Sequence, residues 1–277
     1  MISQKRLIEK GTWDDLIILD ACRYDTLEKV YREYFPEREL KKVRSVGSST
    51  GEWLVKTFQK KYDLTYFSTN PYVNSVGIAL SRANEIYPWD WKASDHFSRI
   101  IDVWEKKWNE ELETVLPGDL NDIVLEKRDG GRNIIHYMQP HQPYISLGSY
   151  GSWKEARDRT KGGSGGGVGG LMRSIEGGVE MTLGKEFLWK TKKALKMKPI
   201  TGQEKTWRAA GGTEGLIGYY EDNLHKVLEK VVELLDHLEG RTIITADHGE
   251  AFGEEGVWFH ELETHIPVLM EVPWLEV

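Results

Sequence analysis

The chain has a single cysteine, Cys22, among its 277 residues, so neither an internal disulfide nor a thiolate zinc cage is open to it. No apolar run approaches the length of a membrane span. The opening residues Met1, Ile2, Ser3, Gln4, Lys5 and Arg6 have no apolar stretch behind their charges, so no secretory signal is expected and the expected location is cytoplasmic. Basic excess is missing too. With a net charge of -7 the chain lacks the electrostatic footprint of a nucleic-acid binder. What is there is the balance of a globular protein, 39% hydrophobic and 29% charged, long enough to bury one large core or two modest ones.

The apolar run Leu16, Ile17, Ile18, Leu19 ends at Asp20 and predicts a buried parallel strand. A helix is expected over 25–35, with Leu27, Val30, Tyr31 and Tyr34 on one stripe and Pro36 as its stop. A second strand at 42–46 leads into the turn Gly47, Ser48, Ser49, Thr50, Gly51 and then a helix through Trp53, Leu54, Thr57 and Phe58. Residues 64–67 give a third strand, and 97–128 show helical spacing broken at Pro117 and Gly118. A strand at 133–138 runs into "QPHQPY". A long helix over about 214–238 buries Leu224, Val227, Leu228, Val231, Leu235 and Leu238; after Gly240, a strand at 241–246 delivers Asp247, and 266–270 is the last strand. Strands alternating with helices predict an α/β fold, a three-layer α/β/α sandwich with a mostly parallel central sheet. One catalytic domain over 1–277 is expected, with a flexible glycine-rich insert at about 160–180 around "KGGSGGGVGG". The lysine-rich amphipathic segment at 183–198 reads first as a solvated helix face, and second as a basic lid over an anionic substrate.

In such sheets ligands lie beyond the carboxyl ends of the strands. Asp20, His136, His141, Asp247 and His248 fall at or just past strand ends, and His260 follows the last turn. Carboxylate oxygens and neutral imidazole nitrogens suit zinc or manganese. The hydroxyls of Ser48, Ser49 and Thr50 precede a helix whose amides favour an anion. A hydroxyl beside a dication becomes a nucleophile near neutral pH. Together these features point to attack on a phosphate or sulfate ester. His225 and His237 lie within the long helix and are expected at its surface, and Cys22 is expected to be a buried bystander.

"LIILDACRYD", "SVGSSTGEW", "IHYMQPHQPY" and "IITADHGEAFGEEGVWFH" together resemble the alkaline phosphatase superfamily, in particular its sulfatase-like branch, over roughly 13 to 274. The resemblance implies that Asp20, Asp247 and His248 hold one divalent ion, zinc or manganese. It assigns His260 and His136 to a second ion and His141 to the substrate or its leaving oxygen. Aligned with the phosphopentomutase and cofactor-independent phosphoglycerate mutase turn, the nucleophile is Ser48; aligned with the sulfatase turn it is Ser49, and Thr50 is the third choice. That turn lacks the cysteine, proline and arginine of the sulfatase motif, so formylglycine cannot form there and phosphoryl chemistry is favoured. The short span before the final block leaves no room for the second domain of the mutases. The expected activity is therefore metal-dependent hydrolysis of a phosphomonoester or phosphodiester through a covalent phosphoserine. A sulfatase, a phosphomutase and a non-catalytic metal-binding member are the alternatives. The expected substrate is a small-molecule or glycan- or lipid-linked phosphate ester, with no nucleic-acid partner.

Overall fold

Buried apolar runs form the centre of the sheet. In the computed structural model, which describes residues 1–150, 153–161 and 184–277, Asp15–Leu19 (β2) and Asn133–Tyr137 (β6) are buried at every position. Thr242–Thr245 (β7) is buried throughout as well. Strands covered on both faces read as continuous apolar runs, and this is why these segments were legible as strands. The flanking strands are Ile2–Ser3 (β1), Leu40–Arg44 (β3), Tyr62–Ser68 (β4), Phe97–Asp102 (β5) and Glu271–Glu276 (β10). A separate hairpin pairs Ala251–Phe252 (β8) with Trp258–Phe259 (β9).

The eight-stranded sheet has the order β1-β3-β10-β7-β2-β6-β4-β5. Only β10 is antiparallel to its neighbours, β3 and β7. The sheet is thus mostly parallel, as expected. β2 lies between β7 and β6 in register, with Ile18 opposite both Thr245 and His136. The segments that follow these three strands therefore meet at one edge.

Helices cover both faces. On one side lie Tyr24–Tyr34 (α2), Pro117–Lys127 (α4) and Thr213–Leu235 (α7). Leu216, Leu224, Val227, Leu228, Val231 and Leu234 of α7 are buried at helical spacing. Tyr137 points to this side and donates to Asn121 Oδ1 of α4 (2.5 Å). On the other side lie Gln4–Lys10 (α1) and Thr50–Thr57 (α3). Gln4 accepts from Trp53 Nε1 (2.9 Å) and donates to Ala246 O (2.5 Å), tying both helices to the end of β7. Two more helices, Lys185–Ala194 (α5) and Gly202–Ala209 (α6), pack Trp189 and Trp207 against Trp258 in a second apolar cluster.

Two expectations are corrected. Residues 97–102 are the edge strand β5, not the start of a helix; burial along it is intermediate rather than continuous, so its pattern imitates an amphipathic helix. The strand expected at 266–270 is a short helical turn, Pro267–Met270, and the strand itself is β10. The glycine-rich insert lies outside the described residues from 162 to 183.

Candidate metal centre and nucleophile

Asp20 is the first residue past β2, and its backbone amide still donates to Tyr137 O (3.1 Å). The next residue, Ala21, has φ +58, a conformation that L-residues rarely adopt. It is held there by Tyr220, whose hydroxyl donates to Ala21 O (2.8 Å), and by Asp247, whose Oδ1 accepts from Ala21 N (3.1 Å). Asp247 Oδ1 also accepts from His248 N (2.9 Å). One oxygen of Asp247 is thus spent on backbone amides. Its other oxygen, Oδ2, is buried without a hydrogen-bond partner, and so is Asp20 Oδ1.

These two oxygens converge with His248 Nε2, which lies 3.7 Å from Asp20 Oδ1 and 3.4 Å from Asp247 Oδ2. His248 Nδ1 lies 2.7 Å from Gly249 O and can only donate to it, so the lone pair of Nε2 faces the carboxylates. Gly249 is required by the close passage of the 268–269 backbone: a Cβ there would stand 1.9 Å from Val268 O. Burial, reinforced by the charge of Asp247, pushes the Asp20 carboxyl well above its ordinary range. Burial and then the nearby His260 push His248 well below its own. Two buried carboxylates facing a neutral imidazole, with orphaned oxygens, is an arrangement that a cation relieves. The donor set fits a divalent metal ion.

A second set adjoins it. His141, Glu250 and His260 also offer donor atoms within 4.8 Å of one another. His260 Nδ1 lies 3.0 Å from Glu250 Oε1, while Glu250 Oε2 is buried without a partner. The His141 ring is 4.8 Å from that of His260, and the His248 ring is 4.7 Å from it on another side. Burial and then the neighbouring His260 lower the His141 pKa well below its ordinary value. For His260 burial opposes charge, but Glu250 outweighs it and the pKa is raised. The loop bearing His141 is clamped by Asn223, which donates to Pro140 O, His141 O and Pro143 O.

His136 joins neither set. Strand alternation turns it to the α3 face, where its Nδ1 meets the Tyr66 hydroxyl (2.7 Å) and its ring meets Trp53. Its Nε2 is 3.4 Å from Asp20 Oδ2, which also accepts from Asn70 Nδ2 (3.1 Å). Burial lowers its pKa to about 4, so it is neutral. Asn70 thus stands behind Asp20 and fixes its carboxylate, while His136 Nε2 faces the same carboxylate, buried without a hydrogen-bond partner.

The three hydroxyls of the turn differ sharply. Ser48 is fully engaged elsewhere: its Oγ lies 2.9 Å from both Glu52 Oε2 and Glu261 O, which compete for its single proton, and it accepts from Thr264 N (3.1 Å). Ser49 is the N-cap residue of α3, with its hydroxyl beside Tyr87. Thr50, the first residue of α3, has its Oγ1 3.3 Å from His248 Nε2. Glu250, Asn70 and Tyr66 were missed from sequence. Asn70 lies two residues past β4, so the strand-end rule could have found it; Glu250 stands two residues past His248, hidden behind the glycine turn.

Among solved structures, the chain aligns with lipooligosaccharide phosphoethanolamine transferase A (EptA) of Neisseria meningitidis, described as an integral membrane protein. The TM-score is 0.52 at 14% identity, over 96% of this chain and 48% of that one. Against the soluble domain of the same transferase the TM-score is 0.50 at 15% identity, covering 96% and 77%. The fold is alkaline phosphatase-like. The chain spans about half the length of the whole transferase, and among the described residues no helix is long and apolar enough to cross a membrane. No protein-family model matches the sequence, and no curated protein does.

Proposed function

We propose that the chain is a phosphoester hydrolase that works with divalent metal ions and uses Thr50, not Ser48 or Ser49, as its nucleophile. The observation that carries the reading is the convergence of Asp20 Oδ1, Asp247 Oδ2 and His248 Nε2 beside the Thr50 hydroxyl at the start of α3. Asp20, Asp247 and His248 would hold one ion; His141, Glu250 and His260 would hold a second. Such an ion, zinc or manganese by its donors, supplies charge neutralisation and eases loss of a hydroxyl proton.

Thr50 gives up its proton to water and Oγ1 bonds to phosphorus while the ester P–O bond breaks; the departing alkoxide takes a proton from water and leaves as the alcohol. The phosphoryl oxygens face the amide end of α3, where partial positive charge favours them. Water then attacks the phosphothreonine, phosphate leaves, and the hydroxyl is restored. Asn70 takes no part in bond making; it keeps Asp20 in place. The fold shared with phosphoethanolamine transferases supports a second reading, in which an alcohol rather than water accepts the group from Thr50.

The test measures metal content after zinc or manganese loading, beside hydrolysis of chromogenic phosphate monoesters and diesters. Wild type is expected to bind metal and turn over, Asp247→Ala to lose both, and Thr50→Ala to keep metal without turnover. A covalent adduct mapped by mass spectrometry should fall on Thr50, and ethanolamine added as acceptor separates transfer from hydrolysis. Full turnover in Thr50→Ala, or no metal under any loading condition, sinks the proposal.

A further inference from the structure

The lysine-rich segment has no role in the site just described. Between 185 and 200 the chain carries six lysines and one glutamate, in a protein of net charge -7. Helix α5 buries Trp189 and Lys192, the latter turned inward to Glu204 (2.6 Å). Trp189 seats on Trp258 (5.0 Å between ring centroids) and Trp207 (5.8 Å). Lys185 pairs with Glu261, next to His260. The inner face of α5 is therefore fixed to the rim of the donor groups.

The outer face is unusual. By helical spacing Phe187, Thr191 and Ala194 lie opposite Trp189 and Lys192, and all three are exposed. Phe187 is 54% exposed, and past the helix end Leu195, Met197 and Ile200 are 67%, 50% and 43% exposed. Among the described residues, four of the ten exposed large hydrophobic side chains lie in these few positions. Exposed Lys190, Lys193, Lys196 and Lys198 surround them. Lys190 is paired with Glu186 (2.9 Å), and exposed Lys193 lies over the Trp207 ring (5.6 Å), a contact that leaves its charge uncompensated along with those of Lys196 and Lys198. Scattered single apolar residues at a surface need no explanation, but four large ones within 187–200, interleaved with exposed lysines, do.

We infer that α5 and residues 195–200 form a docking surface for an anionic lipid bilayer, with Phe187, Leu195, Met197 and Ile200 entering the interface and Lys193, Lys196 and Lys198 meeting lipid phosphates. The chemistry favours a bilayer over an acidic polymer because the lysines alternate with large apolar side chains that only an interface can bury. Lysine stems lying along apolar surface keep their ammonium groups at headgroup level. Each basic residue near an anionic leaflet multiplies partitioning by roughly fivefold, and salt screens the effect. The inference is independent of the chemistry at the donor groups.

The experiment is co-sedimentation of the full chain with vesicles of phosphatidylcholine alone, or mixed with an equal part of phosphatidylglycerol. Two variants accompany it, Lys193→Glu/Lys196→Glu/Lys198→Glu and Phe187→Ser/Leu195→Ser. All five positions are exposed, and circular dichroism melts check that the fold is kept. Wild type is expected to sediment with the mixed vesicles only, and to be released by salt. The lysine variant should lose binding by at least about a hundredfold, three residues' worth, and the apolar variant by roughly tenfold or more. Failure of wild type to bind the mixed vesicles overturns the inference. So does wild-type binding by the apolar variant, which would mean that charge alone is read, or binding to duplex DNA in place of vesicles.

Discussion

Exchanging Ser48 and Thr50 for alanine, one at a time, should split stability from turnover. Ser48→Ala removes a buried hydroxyl with three partners, the Glu52 carboxylate, Glu261 O and the Thr264 amide. A neutral hydrogen bond contributes about 1 kcal/mol net and one to a charged group about 2 kcal/mol; with one proton to donate and one bond accepted, the loss is on the order of 2–3 kcal/mol. For a chain of this size that lowers the melting temperature by roughly 4–12 °C. The donor groups stay in place, because none of those partners belongs to them. Turnover below the transition should therefore fall only a few-fold. Thr50→Ala loses one 3.3 Å contact, about 1 kcal/mol or less, and its melt should move by no more than about 4 °C. Its turnover should fall by on the order of a thousandfold or more, as expected for loss of a nucleophile. The assay is a calorimetric melt beside initial rates on a chromogenic phosphodiester, with metal content measured on the same samples. Inactivity of Ser48→Ala with an unchanged melt, beside an active Thr50→Ala, would refute the reasoning and return the nucleophile to Ser48.

Other perturbations probe the same region. Asp247→Asn keeps the acceptor for Ala21 N and His248 N but removes a charge, so bound metal should drop at least about tenfold. After chelation the same variant should melt higher than wild type, because Asp20 no longer faces a second buried carboxylate; a lower melt would contradict the proposed repulsion. Asn70→Ala removes the donor to Asp20 Oδ2 and should weaken metal affinity about tenfold or more, read by chelator competition. Burial pushes the Glu52 carboxyl up, but bonds from Lys56, the Ser48 amide, His265 and the Ser48 hydroxyl bring it down to about 2. Its folded pKa lies below the unfolded one, so its stabilisation is full above about pH 4.5 and is lost as pH falls toward 2. Urea titrations should show that fall shrinking in Glu52→Gln, and an identical pH profile in the variant would count against it.

The meeting of Asp20 with Asp247 and His248 was legible because β2 and β7 are short apolar runs that end in polar residues. A parallel sheet brings such ends to one edge. Choosing among Ser48, Ser49 and Thr50 was not a question of residue type. All three are buried hydroxyls within one turn, and only the start of α3 decides which one faces His248. Gly47 sets that start by letting the chain pass within a Cβ distance of 2.3 Å from Trp53 N. His136 looked like a ligand because it is a histidine near a strand end. It lies one residue before that end, and the period of two in a strand turns it to Trp53 and Tyr66. β5 was misread for another reason. A half-covered edge strand interleaves polar and apolar residues irregularly, and without its neighbour β4 nothing marks it as extended.

The order of β3, β10, β7 and β2 in the sheet has a consequence for synthesis on the ribosome. β10 and β7 are made after the other six strands, yet they lie between β3 and β2. Until they emerge, the nascent chain carries two separate half-sheets, β1-β3 and β2-β6-β4-β5, with β2 as an unpaired edge. Such edges invite pairing with other chains, so the unfinished polypeptide has a stretch of its life in which chaperone protection matters. Asp20 is then alone, and its partner Asp247 arrives with the strand that closes the gap. An incomplete chain can therefore assemble neither the paired carboxylates nor the Thr50–His248 contact.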